Sequence, residues 1–288
     1  MSKHSAPLPE KLKERMFRGK GIFRPLPTGR IDAHVSCIRE YGANVFFYSK
    51  NGATMLIDAG YAYPRLREKM GWLGLDPAAI GHILITHQDS DHIGAVAAGS
   101  EPVFPHARLY LGEEENRYLT GEKQRRMFYG LCKLPRVSVT NPVTFLRDGA
   151  RFDIDGIQVE AILVPGHTCG HLVYLIDEAY LFTGDTLWLG MDGGYSFINV
   201  LTEDNALARR SLAALAQTLR ARHLSPHIIT GHTGWTDSLD FAFAHIDRVC
   251  NAWFKQRPAD PDAPYDSYDE AGDTPERARG PFLPKLNR

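Results

Sequence analysis

Thr86-His87-Gln88-Asp89-Ser90-Asp91-His92-Ile93-Gly94 is the stretch on which the reading of this chain turns. Four side chains able to bind a metal ion, His87, Asp89, Asp91 and His92, fall within six residues. They follow HILIT (82–86), a compact β-branched run of the kind that forms a strand. On a turn leaving a strand, His87 and Asp89 can converge on one ion. Asp91 and His92 are adjacent, so they aim away from that ion toward a second. Taken alone, the cluster also reads as a polar loop with helix-capping aspartates.

Three further loops repeat the theme. Pro165-Gly166-His167-Thr168-Cys169-Gly170-His171 puts a histidine in a Gly-bounded loop between two strands. Phe182-Thr183-Gly184-Asp185-Thr186 ends a strand on an aspartate, and Ile229-Thr230-Gly231-His232 ends one on a histidine. A strand-end His or Asp is by itself more often a turn or a cap. Four such loops in this order point to a metal centre drawn from separate parts of the chain.

In these motifs the chain resembles the metallo-β-lactamase superfamily, over roughly residues 43 to 250. The phrases GHTCGHLVY and FTGDTLW resemble its glyoxalase II and lactonase branches in particular. The resemblance implies a four-layer αββα sandwich and a dinuclear centre. In it His87, Asp89 and His167 would bind one ion, Asp91, His92 and His232 a second, and Asp185 would bridge both. Asp58, in MLIDAG, would stand behind a ligand histidine, and His171 would be packed or would also back a ligand. The family carries a histidine where this chain has Asp89. A carboxylate is also a good ligand, at about 2.0–2.2 Å. The resemblance implies two zinc ions, and the more anionic site that results makes manganese or iron an alternative.

The implied chemistry is hydrolysis of a small ester, lactone or thioester. A water between two ions has its pKa lowered toward neutrality, giving hydroxide, and Asp91 can take the nucleophile's proton. No serine or cysteine nucleophile is required, so Cys169 reads as loop. His227 reads as surface, and His4, His34, His82, His106, His223 and His245 have no ligand partners nearby in sequence.

Substrate choice rests with the segments flanking the ligands. Tyr118 in residues 113–136, and Trp188, Tyr195 and Phe197 in residues 188–199, are the candidate pocket residues. Lactonases of the family carry a tyrosine three residues after the bridging aspartate, where this chain has Trp188. A phosphodiesterase is the second hydrolytic reading. An iron-dependent redox enzyme of the same fold is another, favoured by Asp89 and opposed by the lack of an appended flavin domain. A metal-binding scaffold without catalysis is the remaining class.

The rest of the chain bounds these readings. Hydrophobic content of 43%, charged content of 23% and a net charge of -1 suit a globular domain with no global attraction to nucleic acid or anionic membrane. No apolar run reaches the roughly eighteen residues of a membrane span. The N-terminus lacks a secretory apolar stretch, and the four cysteines are scattered, which fits reduced thiols and a cytoplasmic location. A small-molecule substrate is expected, and a homodimer stays open.

Residues 1–30 read as a basic arm, 31–257 as the catalytic domain and 258–288 as a polar tail. Hairpin turns are expected at Asn51-Gly52, Asp155-Gly156 and Asp177-Glu178. Helices are expected over residues 63–75, 93–99, 113–130, 206–223 and 241–257.

Overall fold

The computed structural model describes residues 23–40, 42–62, 65–99, 102–248 and 273–286. The first 22 residues of the expected arm, the second half of the helix expected at 241–257, and tail residues 258–272 lie outside them.

Two sheets form the centre. The first has β1 (Gly29–Arg30), β2 (Val35–Glu40), β3 (Ala43–Lys50), β4 (Ala53–Ile57), β5 (His82–Leu84) and β6 (Arg108–Gly112). A short hairpin of β7 (Arg126–Met127) and β8 (Cys132–Lys133) precedes its seventh strand, β9 (Val143–Leu146). The second has β10 (Ala150–Ile154), β11 (Ile157–Leu163), β12 (Leu172–Ile176) and β13 (Tyr180–Phe182). After the hairpin β14 (Leu187–Leu189) and β15 (Gly194–Ser196) it is completed by β16 (His227–Thr230) and β17 (Gly234–Thr236).

Asn51, Asp155, Asp177 and Glu178 all take positive φ, so the expected tight turns form with left-handed backbone at the turn residues. Strand patterning then decides the layers. Phe46, Tyr48, Met55 and Ile57 on one face of the first sheet meet Ile157, Val159, Ala161, Leu172 and Tyr174 of the second. The opposite face of the first sheet, with Val45, Phe47, Leu56 and Ile83, packs on Leu66 and Met70 of α1 (Leu66–Trp72). Val173, Leu175, Leu181 and Ile228 on the outer face of the second pack under α4 (Asn205–Ala221). That helix starts where the Asp204 carboxylate accepts from Leu207 N, and it presents Leu212, Leu215, Ala216 and Leu219 as one apolar stripe. The result is the αββα sandwich.

Direction of pairing places the ligand loops. β4 and β5 are parallel, with Leu56 opposite Ile83 and Ile57 opposite Leu84. β13 and β16 are parallel too, with Phe182 opposite Ile229. Parallel neighbours end on the same edge of a sheet. Asp58, His87, Asp185 and His232, which follow β4, β5, β13 and β16, are therefore delivered to one rim.

Several expected helices are shorter. The one expected over 93–99 is α2 (Ser90–Ile93) followed by a 3-10 turn, Gly94–Val96. Gly94 abuts the backbone of Gly60 and Tyr61, and a Cβ there would lie 2.6 Å from Gly60 O. The one expected over 113–130 is α3 (Asn116–Thr120), stopped by Gly121 at φ 82°, after which the chain turns back as β7–β8. Strand structure starts well before Ala43, at β1. Among the described residues of 241–257 helix persists only in α5 (Leu239–Ala242).

The described segments nearest the two ends, from residue 23 and over residues 273–286, pack on the domain. Leu26 N donates to Asn44 Oδ1, and Arg24 N donates to His232 O at 2.7 Å. Near the C-terminus α6 (Pro275–Ala278) is followed by Leu283, whose N–H donates to Arg30 O and whose carbonyl accepts from Trp235 Nε1. Asp273 is buried with Lys69 at 3.1 Å and Arg39 at 3.2 Å, and accepts from the Thr28 hydroxyl at 2.6 Å. No helix among the described residues is long and apolar enough to cross a membrane.

Candidate metal centre

The rim is organised from Asp58. Its backbone is in the left-handed region, φ 55°, which Asp and Asn tolerate better than most residues. The carboxylate accepts from Thr86 N at 2.8 Å and Thr86 Oγ1 at 2.9 Å, fixing the exit of β5. Its Oδ2 also lies 2.8 Å from His92 Nδ1. Asp89 stands at the N-terminal boundary of α2 without a side-chain capping bond, and Asp91 and His92 sit in that helix's first turn.

Two groups of ligand atoms face one another across this rim. His87, His167 and Asp185 form one, and Asp91, His92 and His232 the other, each with its atoms within 4.8 Å of one another. His87 Nε2 and His167 Nε2 are 3.2 Å apart, and His92 Nε2 and His232 Nε2 are 3.3 Å apart. Asp185 lies between the groups, its Oδ1 3.1 Å from His232 Nε2 and its Oδ2 3.7 Å from His167 Nε2.

The donor set suits divalent ions. His92 Nδ1 is held by Asp58, His232 Nδ1 by the Gly42 carbonyl and His87 Nδ1 contacts Thr86 Oγ1. With Nδ1 donating outward, Nε2 keeps its lone pair for the interior. Four buried imidazoles turning Nε2 toward carboxylate oxygens could hold metal ions, and make a poor protein core.

Charges explain the titration. Burial pushes His92 down, but Asp185, Asp58 and Asp91 together hold it well above the ordinary histidine value. His232 is also raised against its burial, chiefly by Asp185. His167 goes the other way, to about 4, under burial and the Arg125 guanidinium. Burial also lowers His171, which stacks on His87 at 4.8 Å and accepts from Asp185 N at 3.1 Å.

Arg125 is the residue that the motifs do not reveal. It is 2% exposed, and its Nε and Nη2 each lie 2.8 Å from an Asp89 oxygen in a bidentate pair. Nη2 is also 3.1 Å from His167 Nε2 and donates to Leu201 O. Asp89 thus lies beside His87 and His167, at 3.5 and 3.3 Å, yet its charge is cancelled locally. Arg125 offsets the charge on which the manganese or iron alternative rests. Glu115 is a second unforeseen residue. Buried between two ligand loops, it accepts from Gln88 N in one and from Thr168 Oγ1 and Gly170 N in the other.

The candidate pocket residues divide. Phe197 walls the centre, its ring centroid 5.1 Å from that of His167 and 5.7 Å from that of His232. Trp188 is fully buried in a cluster with Met127, Ile198 and Leu201, so it is core. Tyr118 is buried as well, donating to Glu203 at 2.8 Å. Tyr195 donates to Asp192 and packs on His245. Phe23, in the expected arm, lies on His232 with centroids 4.5 Å apart.

One consequence is measurable. Asp58→Asn keeps size and left-handed tolerance but removes the charge behind His92. Metal affinity is expected to fall about 10–100-fold, the usual cost of losing such a partner. Competition with a chromophoric chelator measures it, and an unchanged affinity counts against the role given to Asp58.

Known proteins fit this geometry. The family model of the metallo-beta-lactamase superfamily matches residues 38–244. The chain is 37% identical over 134 residues to a hydroxyacylglutathione hydrolase of Aeromonas hydrophila, covering 46% of this chain and 42% of that one. A hydroxyacylglutathione hydrolase of Glaesserella parasuis is 28% identical over 186 residues, covering 65% and 64%. The chain spans less than half the length of the first curated relatives it matches. In fold it is similar to a B3 metallo-beta-lactamase, with a TM-score of 0.57 at 19% identity over 79% of this chain and 89% of that one. A metallo-beta-lactamase family protein from Thermus thermophilus gives 0.54 at 23% identity over 76% of each chain. With all four ligand loops inside the matched span, the chain belongs to the metallo-beta-lactamase superfamily.

Proposed function

We propose that this chain is a metal-dependent hydrolase that opens a small thioester, ester or lactone. The observation that carries the reading is the convergence of two ligand groups, sharing Asp185, on one rim of the sandwich. His87, His167 and Asp185 would hold one ion, and Asp91, His92, His232 and Asp185 the other. Bound there, divalent ions would bring the pKa of a water toward neutrality and polarise a carbonyl oxygen.

The chain's own residues supply the rest. Asp91 is the most solvent-open carboxylate of the set, with 20% of its side chain exposed, so it can pass a proton to water. Phe197 and Phe23 flank His232 and would exclude water from one side of the substrate. The thioester preference rests on the relatives named hydroxyacylglutathione hydrolase. Zinc is the expected metal, because Arg125 neutralises the additional carboxylate.

A panel of hydroxyacyl thioester, lactone, phosphodiester and β-lactam substrates, run with zinc, manganese and iron forms, tests the reading. Fastest turnover is expected for the thioester or the lactone, with zinc. Turnover confined to the phosphodiester, or none with any metal, would overturn it.

A further inference from the structure

Arg125 does more than fill space beside the centre. A guanidinium that is 2% exposed and paired at 2.8 Å through both Nε and Nη2 uses the carboxylate plane of Asp89 as a metal ion would. Both Asp89 oxygens are occupied, since Gln88 Nε2 also donates to Oδ1 at 2.7 Å. The same Nη2 sits 3.1 Å from His167 Nε2, the nitrogen whose lone pair an ion would take. Leu201 O and Arg126 O accept from Nη2 and Nη1, and they anchor the guanidinium in this position. Among the described residues, no lysine or arginine is ion-paired with Asp91 or Asp185 in the other group. Asp91, His92 and His232 contact one another and Asp185, and His92 is backed by the Asp58 carboxylate.

We propose that Arg125 withholds Asp89 from metal coordination and makes the two halves of the centre unequal. One ion binds tightly at Asp91, His92, His232 and Asp185. A second binds weakly at His87, His167 and Asp185, beside a fixed positive charge. Arg125 is thus a positioning residue that sets metal stoichiometry at low metal concentration. This inference rests on the ligand assignment of the proposed function but not on its substrate, so metal binding without substrate tests it separately.

The experiment is calorimetric titration of the chelator-stripped full chain with zinc, repeated with cobalt(II) to follow coordination by visible absorbance. Wild type is expected to take one equivalent tightly and a second at least about tenfold more weakly, the lower end of what a partner to a ligand is worth. In Arg125→Gln the freed Asp89 joins the second site, whose dissociation constant falls about 10–100-fold. Losing one member of a buried pair can unfold a chain, so Asp89→Asn/Arg125→Gln, which leaves no charge behind, is measured alongside. Because Asp89 is not a ligand in wild type, the double variant keeps the second ion at wild-type affinity or better. Two equal equivalents in wild type would contradict the proposal, as would loss of the second ion in the double variant. With folded Arg125→Gln, an unchanged gap would also contradict it.

Discussion

Asp91→Asn is expected to give a folded protein whose hydrolysis of its best substrate is reduced at least about a hundredfold. Asp91 lies in the first turn of α2, with its Oδ2 3.5 Å from His232 Nε2 and 3.8 Å from His92 Nε2. The substitution preserves volume and removes both a ligand charge and the proton acceptor. Loss of a general base costs about 10²–10⁴-fold in rate, and weakened metal binding adds to that. The fold should tolerate the change, because Asp91 is partly exposed and belongs to none of the apolar clusters that join the layers. Circular dichroism with steady-state kinetics makes the check. Full activity in the variant would remove Asp91 from the mechanism.

The largest stability effect is expected at Asp273, outside the two ligand groups. Its carboxylate is shared by Arg39 and Lys69, whose side chains are 7% and 1% exposed. Asp273→Asn removes the negative charge that both buried cations face, and breaking buried pairs of this kind costs about 3–5 kcal/mol. Asn can still accept from Thr28, so about 3 kcal/mol in urea denaturation is the expected value. Burial pushes the Asp273 carboxyl up, but Thr28, Arg39 and Lys69 together hold it below the ordinary aspartate value. Its contribution is therefore present above the unfolded pKa of about 3.9 and is lost as pH falls through the lower folded value. A change under about 1 kcal/mol, as for an exposed pair, would mean that the C-terminal segment is only loosely attached.

The two cases show what a linear reading can and cannot reach. The residues that meet at the rim were legible because His87, Asp89, Asp91 and His92 share one loop and the others sit in Gly-bounded strand ends. The turns at Asn51-Gly52 and Asp155-Gly156 were legible because left-handed backbone selects those residues. Arg125 was not, since one arginine in a charged run carries no mark of a carboxylate 36 positions away. Asp273 fell in a Pro- and Asp-rich stretch read only as a polar tail, and its partners lie more than 200 residues earlier. Phe23 was hidden by the weak pattern of the segment before it. Trp188 was read as pocket because it follows Asp185 so closely, but β14 turns it into an apolar cluster. The helix expected at 113–130 failed where glycine set the backbone, at Gly121 by left-handed φ, and the one expected at 93–99 ends where Ala97 turns extended.

Anomalous scattering from a zinc-soaked crystal of the full chain tests the central claim most directly. A strong peak is predicted within about 2.0–2.2 Å of His92 Nε2, His232 Nε2 and a carboxylate oxygen of Asp91. A weaker peak is predicted near His87, His167 and Asp185, with Asp89 still on Arg125. Saturating zinc that gives no peak at any of these imidazoles would contradict a metal centre at this rim, and the hydrolytic reading with it.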